Sequence, residues 1–185
     1  MKNAQKTSTK SLVLTGMFVA VLAVLSQLSI PMPSGIPVTL QTFAVALVAY
    51  VLGAKLGVMA IVVYILLGAV GVPVFANFYS GVGVLVGTTG GFIWGFIFMT
   101  ILCGLGWVQK KKVLAVIFSA AGLLLCHLFG ILQFMAVMDM GFISSAEIVS
   151  LPYLVKDILS VVAAYFVSAA IRKALYAADL AYGIL

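Results

Sequence analysis

Charged side chains are scarce in this sequence. Of its 185 residues, ten are Lys or Arg and four are Asp or Glu, together 8%. A soluble domain carries about 25% charged residues, so this composition excludes a domain that folds in water. The hydrophobic content is 65% and the mean hydropathy is +1.32. A helix needs about 20 apolar residues to cross a hydrocarbon core about 30 Å thick, so the length allows about six spans with short loops.

Residues suited to catalysis or metal binding are also few. Cys103 and Cys126 lie inside apolar runs, which favours small buried hydrophobes over a disulfide or a metal pair. His127 is the single histidine, with Gln133 six residues later, and we predict that it forms an interhelical hydrogen bond. Only Ser80 with His127 resembles a nucleophile–base pair, and no third member is apparent. We therefore predict neither an enzyme nor a resident metal or cofactor.

Two transport mechanisms lack their sequence signals. The stretch GTTGG at 87–91 resembles a phosphate-binding loop but lacks the lysine of such loops, so the chain is not predicted to hydrolyse ATP. No long internal repeat is evident, which argues against a transporter built from inverted halves.

The apolar residues form six runs, at 11–30, 39–52, 56–70, 90–108, 113–138 and 151–171. Nine of the ten basic residues lie in alternate gaps: Lys2, Lys6, Lys10, Lys55, Lys110, Lys111, Lys112, Arg172 and Lys173. Basic residues concentrate on the cytoplasmic side of membrane proteins. The pattern therefore predicts one all-α membrane domain over 1–185, with six spanning helices and both termini in the cytoplasm. Lysines before an apolar segment also mark secretory signals, but we interpret 11–30 as a helix because its removal leaves an odd number of spans.

The gaps at 31–38 and 71–89 carry no charge and are rich in Pro and Gly. Run 39–52 is short, about 21 Å if helical. Non-helical backbone at membrane depth is tolerated only where it is buried in protein or lines a cavity. We therefore predict two outer loops that fold over a pocket open to the outside. The loop glycines serve either close approach to a ligand or tight helix packing.

Asp157 is the sharpest candidate for a binding residue. A carboxylate at the centre of a spanning helix costs about 2.5–3.5 kcal/mol and is a functional candidate by default. Pro152 suits a first helical turn, which places Asp157 about 7 Å from the outer end. The alternative is an interfacial charge paired with Lys156. Ser160 shares a face with Asp157, whereas Lys156 is expected to point elsewhere unless its long stem bends round.

Neutral polar and small residues provide further candidates. Gln41 and Asn77 each offer amide donors and an acceptor, either to a ligand or, respectively, to loop backbone and a turn. Gly16 and Ala20 form a small-xxx-small face on the first helix. Such a face serves either internal packing or docking of another membrane subunit.

Four stretches read, in this order, PVTLQTFAVAL at 37–47, LGAKLG at 52–57, LLGAVGVPVF at 66–75 and SGVGVLVGTTGGFIWGF at 80–96. Together they resemble the BioY family, the biotin-specific substrate-binding (S) components of energy-coupling factor (ECF) transporters. The resemblance covers essentially the whole chain. Thr88 stands where the family usually has proline. Near the sixth helix the family tends to read Pro-Gly-Asp-x-x-Lys; here Asp157 is the acid, and Lys156 and Ser160 are the candidates to replace the lysine.

The resemblance implies six helices, an outward vitamin pocket closed by the loops after helices one and three, and location in a prokaryotic cell membrane. It implies as partners biotin, a transmembrane coupling (T) protein that contacts Gly16 and Ala20, and two cytoplasmic ATPases. Within the pocket it leads us to expect Asp157 and Asn77 on the ureido ring, with Gln41 as a further donor. The other expected site residues are Tyr79, Phe75 and Phe43 on the apolar ring, Gly81, Gly83 and Gly87 in the loop, and Lys156 or Ser160.

Three alternative functions remain open from the sequence. The chain could be an S component for another vitamin, which a ligand screen would separate. A small self-sufficient channel or proton-coupled transporter would need a conductive path or a relay, and Asp157 alone is thin support. A membrane scaffold without a ligand is disfavoured by the uncharged, cavity-suited loops.

Overall fold

The computed structural model describes residues 9–32, 35–109 and 111–178. The secondary structure of these residues is helical apart from one short pair of strands, and loops connect the elements. In chain order the elements are α1 Thr9–Gln27, β1 Ser29–Ile30, β2 Val38–Thr39, α2 Gln41–Ala69, a 3-10 turn Ala76–Phe78, α3 Val82–Val86, α4 Gly90–Trp107, α5 Lys112–Met138, α6 Phe142–Val149 and α7 Leu151–Ala177. Five of these helices, α1, α2, α4, α5 and α7, are long and apolar enough to cross a membrane. The all-α class predicted from the runs is confirmed.

Helix α2 is folded back on itself. Its backbone leaves the helical region at Gly53, where φ is 75° and ψ is 178°. Gln41 Nε2 donates to the hydroxyl of Tyr64 at 3.0 Å although the two residues are 23 positions apart. A straight helix would separate them by about 34 Å. The predicted runs 39–52 and 56–70 therefore correspond to two antiparallel arms of one folded element, and the positive φ at the break suits glycine.

The turn of this hairpin is held by Arg172 from α7. The break at Gly53 leaves the last carbonyls of the first arm without intrahelical partners. Arg172 Nη1 donates to the carbonyls of Tyr50 and Val51, both at 3.0 Å, and its guanidinium lies 5.5 Å from the centre of the Trp107 ring. A buried cation at a helix C-terminus also complements the helix dipole.

The described basic residues other than Lys156 gather at this end of the bundle, called here the basic end. The hairpin turn carries Lys55, the end of α7 carries Arg172 and Lys173, and α5 begins beside Trp107 with Lys112. Lys10 lies in the first turn of α1, whose far end reaches Tyr64 through a 3.0 Å contact between Ser26 Oγ and the Tyr64 hydroxyl. The basic residues of alternate gaps in the sequence thus come together at the basic end of the folded protein.

Helices α4 and α5 pack closely through glycines. A Cβ added to Gly95 would lie 2.8 Å from the Cα of Cys126, and one added to Gly91 would lie 2.8 Å from the Cβ of Gln133. Small residues permit such close approach between membrane helices. Cys103 and Cys126 are both buried, as predicted, and both are free thiols.

The predicted helix bounds need four corrections. Helix α1 ends at Gln27, because residues 29–30 pair with 38–39 as antiparallel strands. The gap 71–89 contains the 3-10 turn and α3, and 139–150 contains α6, because short helices satisfy backbone polar groups that a structureless loop leaves unpaired. Helix α7 runs to Ala177, beyond the apolar run, because Arg172 turns inward and is buried despite its charge.

Candidate functional site

A cavity of about 330 Å³ lies at the end of the bundle opposite the basic end. Its lining comes from the starts of α2, α4 and α7, from α3, from the end of α6 and from the loops on either side of the α2 hairpin. The first arm of α2 and the helices α4 and α7 have their other ends at the hairpin turn or beside Trp107. Pockets for small ligands occupy roughly 300–1,000 Å³ and are mostly apolar with a few placed polar groups. The cavity fits that description.

The charged part of the cavity is centred on Asp157, which is only 5% exposed. Its carboxylate forms an ion pair with Lys156 Nζ through Oδ1, and Oδ2 lies 3.3 Å from His127 Nε2. Lys156 Nζ also donates to the carbonyl of Thr39 at 3.0 Å, and His127 Nδ1 lies 2.9 Å from Ser150 Oγ. A buried carboxylate is tolerated where it is paired in this way.

The Lys156 side chain adopts the alternative left open by the sequence, in which its long stem bends round. The ammonium therefore contacts the Asp157 carboxylate and lines the cavity. Asp157 is therefore both paired with Lys156 and part of the cavity lining, and its contact with a ligand stays a prediction. His127 forms interhelical contacts as predicted, joining α5 to α7. Within residues 9–32, 35–109 and 111–178 there is no group of three or more His, Cys, Asp or Glu placed to hold a metal ion.

The loop after α2 forms another wall of the cavity. Phe75 is 2% exposed, and its ring meets that of Tyr64 edge-on at 5.5 Å. A Cβ at Gly68 would overlap the Phe75 ring, so this glycine makes room for the aromatic anchor. The Tyr64 hydroxyl donates to the carbonyl of Val74 at 3.0 Å and accepts from Gln41. Gln41 therefore both lines the cavity and helps, through Tyr64, to hold the loop.

Eight of the eleven predicted pocket residues line the cavity: Gln41, Phe75, Asn77, Tyr79, Gly83, Gly87, Lys156 and Asp157. Ser160 and Phe43 do not, because Ser160 is buried one turn further along α7 and Phe43 packs against the hydrophobic core. Gly81 does not line it either; its φ of +91° lets the chain turn into α3.

The small face of α1 is on the outside of the bundle. Gly16 and Ala20 are both exposed, and a Cβ added to Gly16 would meet nothing within 4 Å. Internal packing therefore does not explain this pair, and the docking alternative remains a prediction.

Several lining residues were missed in the sequence. Half of them are threonines and aromatics: Thr39, Thr42, Thr88, Thr89, Phe92, Phe96 and Tyr153. Tyr153 had a usable signal, since it precedes Asp157 by four positions and so shares its helix face. The others are ordinary residues for a membrane protein, and only their placement at one end of the bundle distinguishes them.

Comparisons with known proteins agree with this architecture. The pattern of the BioY family matches residues 1–177. A biotin transporter BioY of Thermotoga maritima is 48% identical over 103 residues, which cover 56% of this chain and 59% of that protein. Biotin transporter BioY2 of Lactococcus lactis is 45% identical over 69% of this chain and 71% of its own. A probable biotin transporter BioY of Pyrococcus horikoshii is 37% identical over 86% and 94%, respectively.

The fold is similar to that of a solved structure. The crystal structure of the S-component for biotin from an ECF-type ABC transporter superposes with a TM-score of 0.78 at 22% sequence identity, covering 94% of this chain and 95% of that one. At that identity the likeness concerns the fold. The family match spans nearly the whole sequence, and on that evidence this chain belongs to the BioY family, a family of multi-pass membrane transporters rather than enzymes.

Proposed function

We propose that this chain is the biotin-binding S component of an ECF transporter, which captures biotin at the outer face and delivers it inward with an ATP-driven module. The observation that carries the proposal is the cavity of about 330 Å³, which contains a buried carboxylate, an amide at its rim and aromatic walls. The names of the relatives and of the structural neighbour support the choice of biotin.

The cavity chemistry complements biotin. The ureido ring of biotin carries two N–H donors and one carbonyl acceptor, fused to an apolar sulfur ring. Asp157 is a hydrogen-bond acceptor suited to the N–H groups, and Asn77 has an amide that suits the carbonyl. Phe75 and Tyr79 offer apolar surface for the sulfur ring. Charge-assisted hydrogen bonds of this type are roughly twice as strong as neutral ones.

Lys156, rather than Ser160, provides the cation of this site in our proposal. Lys156 lines the cavity and contacts Asp157, whereas Ser160 does not line it. We expect Lys156→Met to weaken biotin binding about tenfold or more, because it leaves a buried carboxylate without its cation. Ser160→Ala is the matched control and should change affinity less than about twofold. Equal losses for the two variants in calorimetry would contradict this assignment.

The membrane orientation follows from the basic end. We propose six crossings, with the α2 hairpin counted as two, and with both termini in the cytoplasm of a prokaryotic cell. The support is that the described basic residues other than Lys156 lie at one end, which places the cavity on the outside by the positive-inside rule. The two arms of α2 are short, and the neighbouring loop backbone that lines the cavity makes up the membrane depth.

The partners belong to the same proposal. The sequence lacks the lysine of ATP-binding loops, so in this proposal other chains hydrolyse the ATP. Two cytoplasmic ATPases would do so and would drive delivery through a transmembrane coupling protein. The exposed Gly16 and Ala20 on α1 are the proposed contact with the coupling protein, since small residues let a second helix approach closely.

Calorimetry on the detergent-purified chain tests the central claim. We expect nanomolar binding of biotin at one site per chain and no binding of thiamine or riboflavin. Binding of another vitamin instead would assign the chain to a different substrate. Well-folded protein that binds none of the three would refute substrate capture, and flux through chain-only liposomes would then test the channel alternative.

A further inference from the structure

The loop that carries Asn77 has an unfavourable backbone. Asn77 and Phe78 are consecutive non-glycine residues in the left-handed region, with φ of 58° and 59°. Asparagine visits this region fairly readily, but for a bulky side chain such as Phe78 it is an outlier. Phe78 is also 69% exposed, so burial of its ring does not compensate. Such a conformation persists only where the surroundings hold it.

The contacts that hold it come from the end of α1. Gln27 Oε1 accepts a hydrogen bond from the backbone N–H of Phe78 at 2.8 Å. Gln27 Nε2 donates to the carbonyl of Val74 at 3.2 Å and to Ala23, on its own helix, at 3.1 Å. One side chain thus bonds both sides of the turn while it is anchored to α1.

Ser29 acts on the side chain of Asn77. Ser29 Oγ donates to Asn77 Oδ1 at 2.5 Å. A primary amide has one acceptor oxygen and one donor nitrogen. With its oxygen directed to Ser29, Asn77 presents its NH₂ group to the remaining surroundings, which include the cavity that it lines.

We propose that Gln27 and Ser29, neither of which lines the cavity, are positioning residues for ligand binding. Gln27 holds the left-handed turn, and Ser29 sets the polarity of Asn77 so that it donates to a ligand carbonyl. This inference rests on the proposed function, since a ureido ligand offers one such carbonyl. It gives the site an acceptor, Asp157, and a donor, Asn77. These complement the N–H donors and the carbonyl acceptor of the ureido ring, respectively.

The polarity claim is tested with Ser29→Ala and two ligands. In 2-iminobiotin a protonated imino group, which is a donor, replaces the carbonyl acceptor. In Ser29→Ala the amide of Asn77 is free to turn its oxygen toward that donor. Competition against labelled biotin should show an affinity loss of about fivefold for biotin and less than about twofold for 2-iminobiotin. Ser29→Thr keeps the hydroxyl and should restore the wild-type ratio. Equal losses for both ligands, or no loss, would overturn the assignment.

The turn claim is tested by hydrogen exchange without any ligand. In Gln27→Ala the N–H of Phe78 loses its acceptor, so peptic fragments covering 74–81 should exchange at least about tenfold faster than in wild type. Leu28→Ala is the control, because Leu28 is 55% exposed and lies between the two positioning residues. It should leave exchange and affinity unchanged. Identical exchange in wild type and Gln27→Ala would overturn the role of Gln27.

The two proposals fail in different ways. Wild-type protein that does not bind biotin refutes the proposed function, whatever the variants do. If wild type binds biotin but Gln27→Ala and Ser29→Ala bind equally well, only the positioning role is lost. Size-exclusion profiles matching wild type show that each variant is folded.

Discussion

Replacing Asp157 with asparagine tests the centre of the proposed site. The change keeps the shape of the side chain and removes its charge. In the structure the carboxylate is 5% exposed and has Lys156 and His127 as neighbours. Asparagine has one acceptor oxygen in place of two, and it leaves the ammonium of Lys156 without its counter-ion. Hydrogen bonds to charged groups contribute about 1.5–3 kcal/mol, so we expect biotin affinity to fall by about 10- to 100-fold.

Calorimetry on detergent-purified protein measures this loss. The matched control is Asp139→Asn, the same chemical change at the end of α5. Asp139 has a φ of 52°, a left-handed conformation that asparagine also tolerates, and it is not among the cavity residues. The control should bind biotin as wild type does. If Asp157→Asn binds biotin within about threefold of wild type while the wild type binds tightly, the carboxylate is not a ligand contact and the reasoning fails.

Three further predictions concern the scaffold and the partner. Arg172→Gln should lower the thermal midpoint of unfolding in detergent, because the carbonyls of the hairpin turn lose charged donors worth about 1.5–3 kcal/mol. Lys173→Gln, at an exposed position, should leave the midpoint unchanged. Equal midpoints for the two variants would contradict the capping role of Arg172. Gly95→Val should lower the free energy of unfolding by about 1–3 kcal/mol, because it disturbs the α4–α5 contact. Gly141→Val should lower it less, since a Cβ added there meets nothing within 4 Å. Equal losses of stability would show that the α4–α5 contact relaxes to accept the larger side chain. Gly16→Trp should leave biotin binding by the isolated chain unchanged but reduce co-purification with a coupling protein, and unimpaired co-purification would exclude this face as the contact.

The helical architecture was largely predictable because hydropathy is a local property. Each long helix corresponds to an apolar run, and the two runs on either side of Lys55 appear as the arms of α2. Helix ends were less predictable. Arg172 ends the last apolar run in the sequence, yet it lies inside α7. It is buried there because the carbonyls of Tyr50 and Val51 accept hydrogen bonds from its guanidinium. That compensation comes from a distant segment and leaves no local signal.

The candidate site, too, was predictable only in part. Asp157 was identifiable because a carboxylate within an apolar run is costly wherever the run folds. Lys156 was also a candidate, but the second partner of its ammonium could not be predicted, since the carbonyl of Thr39 is 117 positions away in sequence. His127 was assigned an interhelical contact, but its partners, Asp157 and Ser150, could not be named.

The sequence by itself determined that this protein lies in a membrane as a bundle of helices, and which ends of its helices share the basic side. Burial of apolar residues and placement of basic ones act on each segment separately, so both can be predicted from the linear chain. The tertiary structure alone decided the reversal at Gly53, the pairing around Asp157 and the hold of Gln27 and Ser29 on the Asn77 loop. These depend on contacts between segments distant in sequence, whose partners are fixed only when the helices pack.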